Sequence, residues 1–446
     1  MMRSPRPALA RTFRALRNPN YRLYWSGQLV SLTGTWMQRI AQSWLVLQLT
    51  HSPLALGTVT TVQFAPILLF SLFGGVLADR APKRQLLVCT QAVMGVQALA
   101  FALLISSGQI QLFQVYLLAA VLGIANALDN PTRQAFVVEL VGQGDLPNAV
   151  ALNSMVFNSS RIVGPAVGGL LIATVGLAGC FYLNAASYLA VIAGLLLMNP
   201  ARFFAGRPSK RGNVARQIGE GLRYALTTPD IALVVLLMGV LGTFGYNFTV
   251  ILPLIARDVL HTGAAGFGTL TSAMGVGSLA AAFGVAYHGR ATRRTLLVGA
   301  AGFSLLLAAV GLSRWWPLTI PLLVALGLCS IVFTTTANTR LQLVADPAFR
   351  GRVMSIYMLL FAGTTSFGSF VIGALAERGG VQAAVVEAAA ICGLGVVAGL
   401  LYLQRHARRL LPEQVAERAP ARVPEAAAAP PPGEPEAEPA PAPAGK

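Results

Sequence analysis

Charge is the first thing this chain lacks. Only 11% of its 446 residues are Asp, Glu, Lys or Arg, whereas a soluble domain carries about 25%. A soluble globular enzyme is excluded on that ground, since too little charge exists to coat its surface. Acids are scarcest: 16 Asp+Glu stand against 33 Lys+Arg, a formal charge of +17. Nucleic acid is the usual partner of so basic a chain, but here the basic residues fall in short loops between apolar runs, and no nucleic-acid role is expected. Metal-ligand patterns are missing too. The four cysteines (Cys89, Cys180, Cys329, Cys392) sit singly inside apolar runs without a C-x-x-C, as small hydrophobes do. The four histidines (His51, His261, His288, His406) are scattered at run ends, so no metal site is expected. No Walker A pattern occurs, and GVGSLA (275–280) lies in an apolar stretch without a preceding strand. No nucleophile–base pair appears at membrane depth, which disfavours an enzyme. No cofactor is expected, and no cleavable signal peptide is visible.

Hydrophobic length is what the chain has. Apolar residues make up 55%, mean hydropathy is +0.64, and a helix crossing hydrocarbon needs about 20 apolar residues. Twelve such runs fall near 23–49, 57–79, 85–106, 112–131, 149–175, 180–198, 231–255, 266–287, 295–313, 318–338, 353–376 and 383–403. The expected fold class is an all-α membrane protein of twelve transmembrane helices. Loops after odd-numbered runs hold only Arg257, Arg314 and Arg378, and Arg39 and Arg161 lie inside runs. The remaining 28 of the 33 basic residues lie on the other side, so both termini are expected to be cytoplasmic. Trp315 and Trp316 are expected in an outer interfacial belt, and Tyr21, Tyr24 and Trp25 in an inner one.

The chain is internally doubled. RAPKRQLLV (80–88) matches RATRRTLLV (290–298), and LRNPN (16–20) matches LTTPD (226–230), both at an offset of 210. Gly34-Thr35 matches Gly242-Thr243, and Thr132-Arg133 matches Thr339-Arg340, at 208 and 207. Four matches in order at nearly one offset imply two six-helix bundles in parallel repeat. The expected organisation is a basic cytoplasmic N-terminus (1–22), a first bundle (23–198), a basic cytoplasmic loop (199–229), a second bundle (230–403) and a disordered Pro/Ala/Glu-rich cytoplasmic tail (404–446). Within the loop, Val214, Ile218, Leu222 and Ala225 share one helical face. That face suits either the membrane surface or a solvated linker helix.

Two motifs carry a resemblance. GGVLADRAPKR (74–84) resembles the loop 2–3 signature of the major facilitator superfamily through Gly75, Leu77, Ala78, Asp79, Arg80, Lys83 and Arg84, with Pro82 in place of the usual glycine. SRIVGPAVGG (160–169) resembles the superfamily's antiporter motif through Gly164, Pro165, Gly168 and Gly169, with Ser160 where a glycine is usual. With RNPNYRLYWSGQLVSLTGTWMQ (17–38) and LDNPTRQAFVVELVGQGDLPNAVALNS (128–154), the similarity runs to about residue 403. It points to the branch of enterobactin-type siderophore exporters and macrolide or multidrug efflux proteins. That resemblance implies the major facilitator fold and alternating access by rocking bundles. It implies gating by the first motif, with Asp129 beside it as an expected partner of Arg80, Lys83, Arg84 or Arg133. It also implies proton antiport.

Charges at membrane depth are costly and default to function. Arg39 shares a helical face with Thr35, Gln38 and Gln42, and Arg161 lies about twelve residues into the fifth run. Together they suggest a polar, cationic cavity suited to anionic or catechol-like oxygens. Tyr246 and Asn247, at the equivalent place in the second bundle, would complete it. A structural arginine held by backbone carbonyls or a nearby acid is the competing assignment. The expected function is proton-coupled export of an amphipathic organic compound, a siderophore or drug, across the inner membrane by a monomer. Rival functions are uptake or lysolipid/metabolite transport on the same fold, and a non-transporting membrane scaffold or sensor.

Overall fold

A computed structural model describes residues 13–204, 214–288, 291–346 and 349–406. Every element in it is helical. The start of the first helix shows why the repeat matches fall where they do. Asn18 accepts hydrogen bonds from the backbone N–H of Asn20 (2.9 Å) and Tyr21 (3.3 Å), and Pro19 occupies the first turn, a standard N-terminal arrangement. Thr228 and Pro229 hold the same two positions 210 residues later. The doubled segment is thus a helix start in each half.

The first bundle comprises α1 (Pro19–Thr50), α2 (Pro53–Arg80), α3 (Lys83–Ser106), α4 (112–141), α5 (143–174) and α6 (Leu177–Leu197). Leu112–Thr174 is one run of 63 helical residues broken at Gly142, whose φ of 68° and ψ of 177° leave the helix. At 1.5 Å per residue the run would extend about 95 Å, roughly three bilayer cores, so α4 and α5 are separate crossings. The amphipathic α7 (Val214–Thr227) follows. The second bundle comprises α8 (Pro229–Phe244) and α9 (Phe248–Leu254), which make one broken crossing, then α10 (Gly263–His288), α11 (Arg293–Leu312), α12 (Trp316–Val344), α13 (Arg350–Gly379) and α14 (Val381–His406).

Among the described residues, ten helices are long and apolar enough to cross a membrane. Splitting Leu112–Thr174 adds one. The remaining crossing is α1, whose Gln28, Thr35, Gln38, Arg39 and Gln42 depress its hydropathy. The expected twelve-helix membrane fold is therefore present.

The repeat is carried into the packing. In the first lobe α1 packs on α5 and α6, α2 on α4, and α3 on α4 and α6. In the second, α8 packs on α13 and α14, α10 on α12, and α11 on α12 and α14. Single contacts repeat as well. Gly164 approaches the Thr33 carbonyl, and Gly368, 204 residues on, approaches the Thr243 carbonyl, 210 residues on. The lobes meet along two seams, α2 with α13 and α5 with α10. Each seam holds a glycine pair. A Cβ at Gly57 would lie 3.2 Å from the Cα of Gly373, and one at Gly169 would lie 3.1 Å from the Cα of Gly268. Glycine lets helices approach this closely.

Several boundaries differ from expectation. Helix 4 runs to 141 rather than 131, because TRQAFVVELV keeps a helical apolar face past the polar Asp129–Asn130. The seventh crossing is broken at Gly245–Asn247. Tyr21 and Tyr24 are buried, not in a lipid belt; the Tyr21 hydroxyl donates to the Ala149 carbonyl at 2.9 Å. α7 packs on the second lobe: Tyr224 stacks on Phe349 at 4.5 Å, and Arg352 pairs with Glu220 at 2.7 Å. Ala225 is buried while Leu222 is exposed, and the side chains of Val214 and Ile218 lie outside the described residues, as do 1–12 and 407–446.

Candidate functional site

One end of the molecule is sealed and the other is open. The sealed end carries the turns near residues 51, 176, 261 and 380. There, Glu377 accepts from Ser52 Oγ (2.9 Å) and the Leu54 N–H (3.2 Å), capping the N-terminus of α2 across the lobes. Arg257 donates to the carbonyls of Leu47 (3.3 Å) and His51 (3.2 Å), capping the C-terminus of α1. An anion at a helix start and a cation at a helix end both match the helix dipole. Further along the α2–α13 seam, Thr61 Oγ1 donates to the Ser366 carbonyl at 2.7 Å and Leu68 touches Gly363. Gly75, seven residues on in the same stripe, faces open space.

Toward that open end lies a cavity of about 720 Å³, within the range of small-molecule sites. Every lining residue belongs to the first lobe. α1 contributes Tyr24, Gln28, Thr35 and Arg39; α2 contributes Gln63 and Phe64; α4 contributes Asn126, Asn130, Arg133 and Gln134; α5 contributes Asn153, Phe157 and Asn158; α6 contributes Tyr188. Val137, Val150 and Ile67 add apolar wall. The lining thus combines amide and guanidinium donors with aromatic and aliphatic surface, a chemistry for amphipathic, oxygen-rich molecules.

Arg39 sits at the deep wall. Its guanidinium lies over the Trp36 ring at 4.4 Å and 5.9 Å from the Phe64 ring. Its Nε is buried with no hydrogen-bond partner among the described residues, and so is Gln28 Oε1 on the same cavity. Arg39, Gln63 and Phe64 also line a second pocket of about 10 Å³, reaching Thr249 of the other lobe. These three residues are the partition between the open cavity and the sealed end.

Arg133 shares the cavity but is paired. Its Nε donates to Asp129 Oδ2 at 2.9 Å, and its Nη2 bonds the same oxygen. Asp129 Oδ1 accepts from Thr90 Oγ1 and Gln91 Nε2, each at 2.8 Å. Asp129 is sealed behind Arg133 at 1% exposure.

The other expected cavity residues are dispersed. Thr35 lines the cavity and lies 3.4 Å from the Tyr188 hydroxyl. Gln38 turns inward, donating to Gln97 (3.2 Å) and accepting from Asn184 (2.5 Å). Gln42 donates to Gln63 at 2.8 Å and lines the small pocket. Arg161 lies outside the cavity lining and donates to Ser278 (3.0 Å) across the α5–α10 seam. Tyr246 and Asn247 pack inside the second lobe, away from the cavity. The Tyr246 hydroxyl donates to the Ser330 carbonyl (2.9 Å), and Asn247 is bonded to the Thr243 carbonyl (2.6 Å) and Ser369 (3.1 Å).

In the gating motif, a Cβ at Gly75 would meet nothing within 4 Å, Leu77 and Arg80 are exposed, and the side chain of Asp79 lies outside the described residues. Lys83 pairs with Glu139 at 2.8 Å. Arg84 donates to the carbonyls of Leu195 (2.6 Å) and Leu196 (2.8 Å), capping α6. In the antiporter motif, Gly164 and Gly168 lie against Trp36 and Met37 of α1. The Pro165 carbonyl and Gly169 lie against Gly268 of α10. The motif wedges α5 between its own lobe and the other. Among the described residues no cluster of metal-ligating side chains occurs.

Sequence periodicity within the expected spans marks neither Arg133, Tyr24 and Tyr188 as cavity residues nor the helix caps that Arg257 and Glu377 make at the sealed end. Asn126, Asn130 and Arg133 recur at helical spacing on one face. That signal was available once helix 4 is carried past residue 131.

Two lobes of six helices that meet along two seams, sealed at one end, with a polar cavity among the helices of the first, define a small-molecule transporter of the major facilitator class. Residues 10–426 match the family described as transmembrane secretion effector, and the chain belongs to it. It is 26% identical to the enterobactin exporter EntS of Citrobacter koseri over 92% of this chain and 96% of that one. Identity to EntS of Escherichia coli K12 is also 26%, over 90% and 96%. The fold is similar to that of a bacterial homologue of the human lysosomal transporter Spinster in an inward-facing, occupied conformation. That likeness has a TM-score of 0.68 and 14% identity over 92% of this chain and 100% of that one. It is similar as well to the POT family transporter PepTSo, with a TM-score of 0.70 and 12% identity over 88% and 99%.

Proposed function

We propose that this protein exports an amphipathic, oxygen-rich organic compound across the inner membrane by alternating access, with the open end and both termini on the cytoplasmic side. The one-sided cavity carries the proposal. It is open where the basic residues concentrate, closed by paired glycines at the far end, and walled by an unpartnered Arg39 beside the aromatic Trp36 and Phe64. Arg binds carboxylate, phenolate and catechol oxygens in fork geometry, and the aromatic wall accommodates rings. We take siderophores as the first candidates, supported by the cargo in the relatives' names, enterobactin, and lipophilic drugs as the second. On this proposal the protein works as a monomer, with the first lobe lining the cavity and the second closing its far end. Proton exchange is the coupling that the resemblance implies.

Proteoliposomes containing the full chain, with the external label-accessible face identified, test the proposal. Enterobactin, a macrolide and a lysolipid are offered from the side of the termini. Saturable movement of enterobactin or the macrolide toward the opposite side is expected. Movement only toward the side of the termini, or of the lysolipid alone, would establish one of the rival functions. Retention of every solute would favour a non-transporting role.

A further inference from the structure

The charges around the cavity do not balance. Two guanidinium groups line it, Arg39 and Arg133, and among the described residues no carboxylate does. Arg133 is neutralised by Asp129 directly behind it. Among the described residues nothing neutralises Arg39: its neighbours are the Trp36 and Phe64 rings, and the titratable group facing it is the Tyr188 phenol. An arginine remains protonated in proteins, so the empty cavity holds one fixed positive charge. Its place matters as much as its sign. Arg39 lines both the open cavity and the small pocket on the sealed side. A charge at that partition takes the potential of whichever side is open, so rocking carries it through the membrane field.

From this we infer that Arg39 is the voltage-coupled charge of the cycle, and that the protein exports a monoanionic amphiphile using membrane potential as the driving force. The inference rests on the alternating-access export proposal and deepens its cargo class, but puts membrane potential in place of the proton exchange that the resemblance implies. A monoanion on Arg39 makes the loaded carrier neutral, so the outward step moves no net charge. The empty carrier returns with Arg39 bare, moving one positive charge inward, the direction an interior-negative potential favours. Each cycle therefore exports one negative charge and needs no proton. A potential of 100 mV supports a gradient of about fifty-fold for one charge. Asp129 does not substitute as a proton carrier, because it is held by Arg133, Thr90 and Gln91 and shielded from the cavity. The phenols of Tyr24 and Tyr188 face that pair from α1 and α6. Arg161 is a second buried cation, but it lies at the α5–α10 seam, bonded to Ser278, outside the lining.

The test has two parts. Voltage steps across bilayers containing the empty protein, at equal pH on both sides, should evoke a transient charge movement. Arg39→Gln should move at most half the wild-type charge, and Arg39→Lys should keep it. No transient in the wild type, or a full one in Arg39→Gln, would overturn the inference. In the second part, proteoliposomes are given 2,3-dihydroxybenzoate, an aromatic monocarboxylate, as probe. A potassium–valinomycin potential alone should drive its flux, with the sign reversing when the potential is reversed. Flux that follows a pH gradient and ignores the potential would sink the inference while leaving export intact. Should none of the solutes, including this probe, move under either gradient, the export proposal fails, and the charge-movement result still decides the role of Arg39.

Discussion

The two lobes share one helix arrangement and put their polar groups to opposite uses. Arg133 in the first lobe and Arg340 in the second occupy matching places, 207 residues apart. Arg133 leaves 21% of its side chain accessible and lines the cavity. Arg340 is sealed at 1% exposure, bonded to Asp230 Oδ1 at 2.8 Å and to the Ala291 carbonyl at 3.1 Å. Arg293 reinforces the same carboxylate at 2.9 and 3.1 Å. Around these groups the second lobe is apolar, from Leu233 and Leu237 through Phe303 and Phe333. The first lobe instead buries Gln38, Gln97 and Asn184 in one side-chain network and Gln91 against Asp129. Duplication supplied the scaffold twice. One copy lines the open cavity, while the other turns its polar groups inward on one another.

That contrast breaks most severely at Asp230. Replacing it with Ala deprives two arginines of their shared carboxylate in a largely closed environment, and loss of one buried ion-pair partner costs about 3–5 kcal/mol. The expected result is a large drop in melting temperature of the detergent-solubilised protein. A variant as stable as wild type would mean that the second lobe's charges are not structural. The seams between the lobes come next. Leu at Gly169 would drive a side chain into Gly268 and Ala265 of α10, and overpacking costs about 1–3 kcal/mol. Here the lobes can escape by parting at the sealed end. Cysteine placed at Thr249, in a background without native cysteines, should then react faster with a reagent confined to the side of that end. Unchanged labelling would show that the seam is softer than the glycine contacts imply.

The contrast also marks where sequence patterns stop being informative. Twelve apolar runs and a recurring offset near 210 reveal the two bundles, because hydrocarbon length and duplication are both written locally. A run's hydropathy says nothing about which side of it faces water inside the protein. The α1 helix shows this well: its glutamines look alike in sequence, yet Gln28 lines the cavity while Gln38 is consumed by Gln97 and Asn184. Nor does hydropathy locate a helix end among polar residues, which is why Arg133 fell outside the span that carries it. The break at Gly245–Asn247 turned Tyr246 into packing against Phe303, at 4.8 Å, where symmetry with Arg39 suggested a cavity wall. Bonds such as Arg257 to the end of α1 join residues over 200 positions apart, and no periodicity encodes them.

Smaller effects sharpen the comparison. Tyr246→Phe removes one hydroxyl that donates to Ser330, a loss of about 0.5–1.5 kcal/mol for a hydrogen bond. Since Tyr246 lies outside the cavity lining, transport rates should stay within about two-fold of wild type while the melting temperature falls slightly. A selective loss of transport at full stability would return Tyr246 to the substrate path.

Arg39→Gln should show the smallest stability change and the largest functional one. Removing a buried ionic partner ordinarily destabilises, as at Asp230, because an opposite charge is left stranded. Arg39 strands nothing, since no carboxylate is bonded to it among the described residues, and its own Nε lacks a partner. Burying that group already costs the folded state free energy, and a neutral glutamine relieves part of the cost. The melting temperature should therefore hold or rise while efflux collapses. If stability fell as far as in Asp230→Ala, Arg39 would be a structural element like Arg293 and Arg340 of the second lobe, and the division of labour between the lobes would not hold.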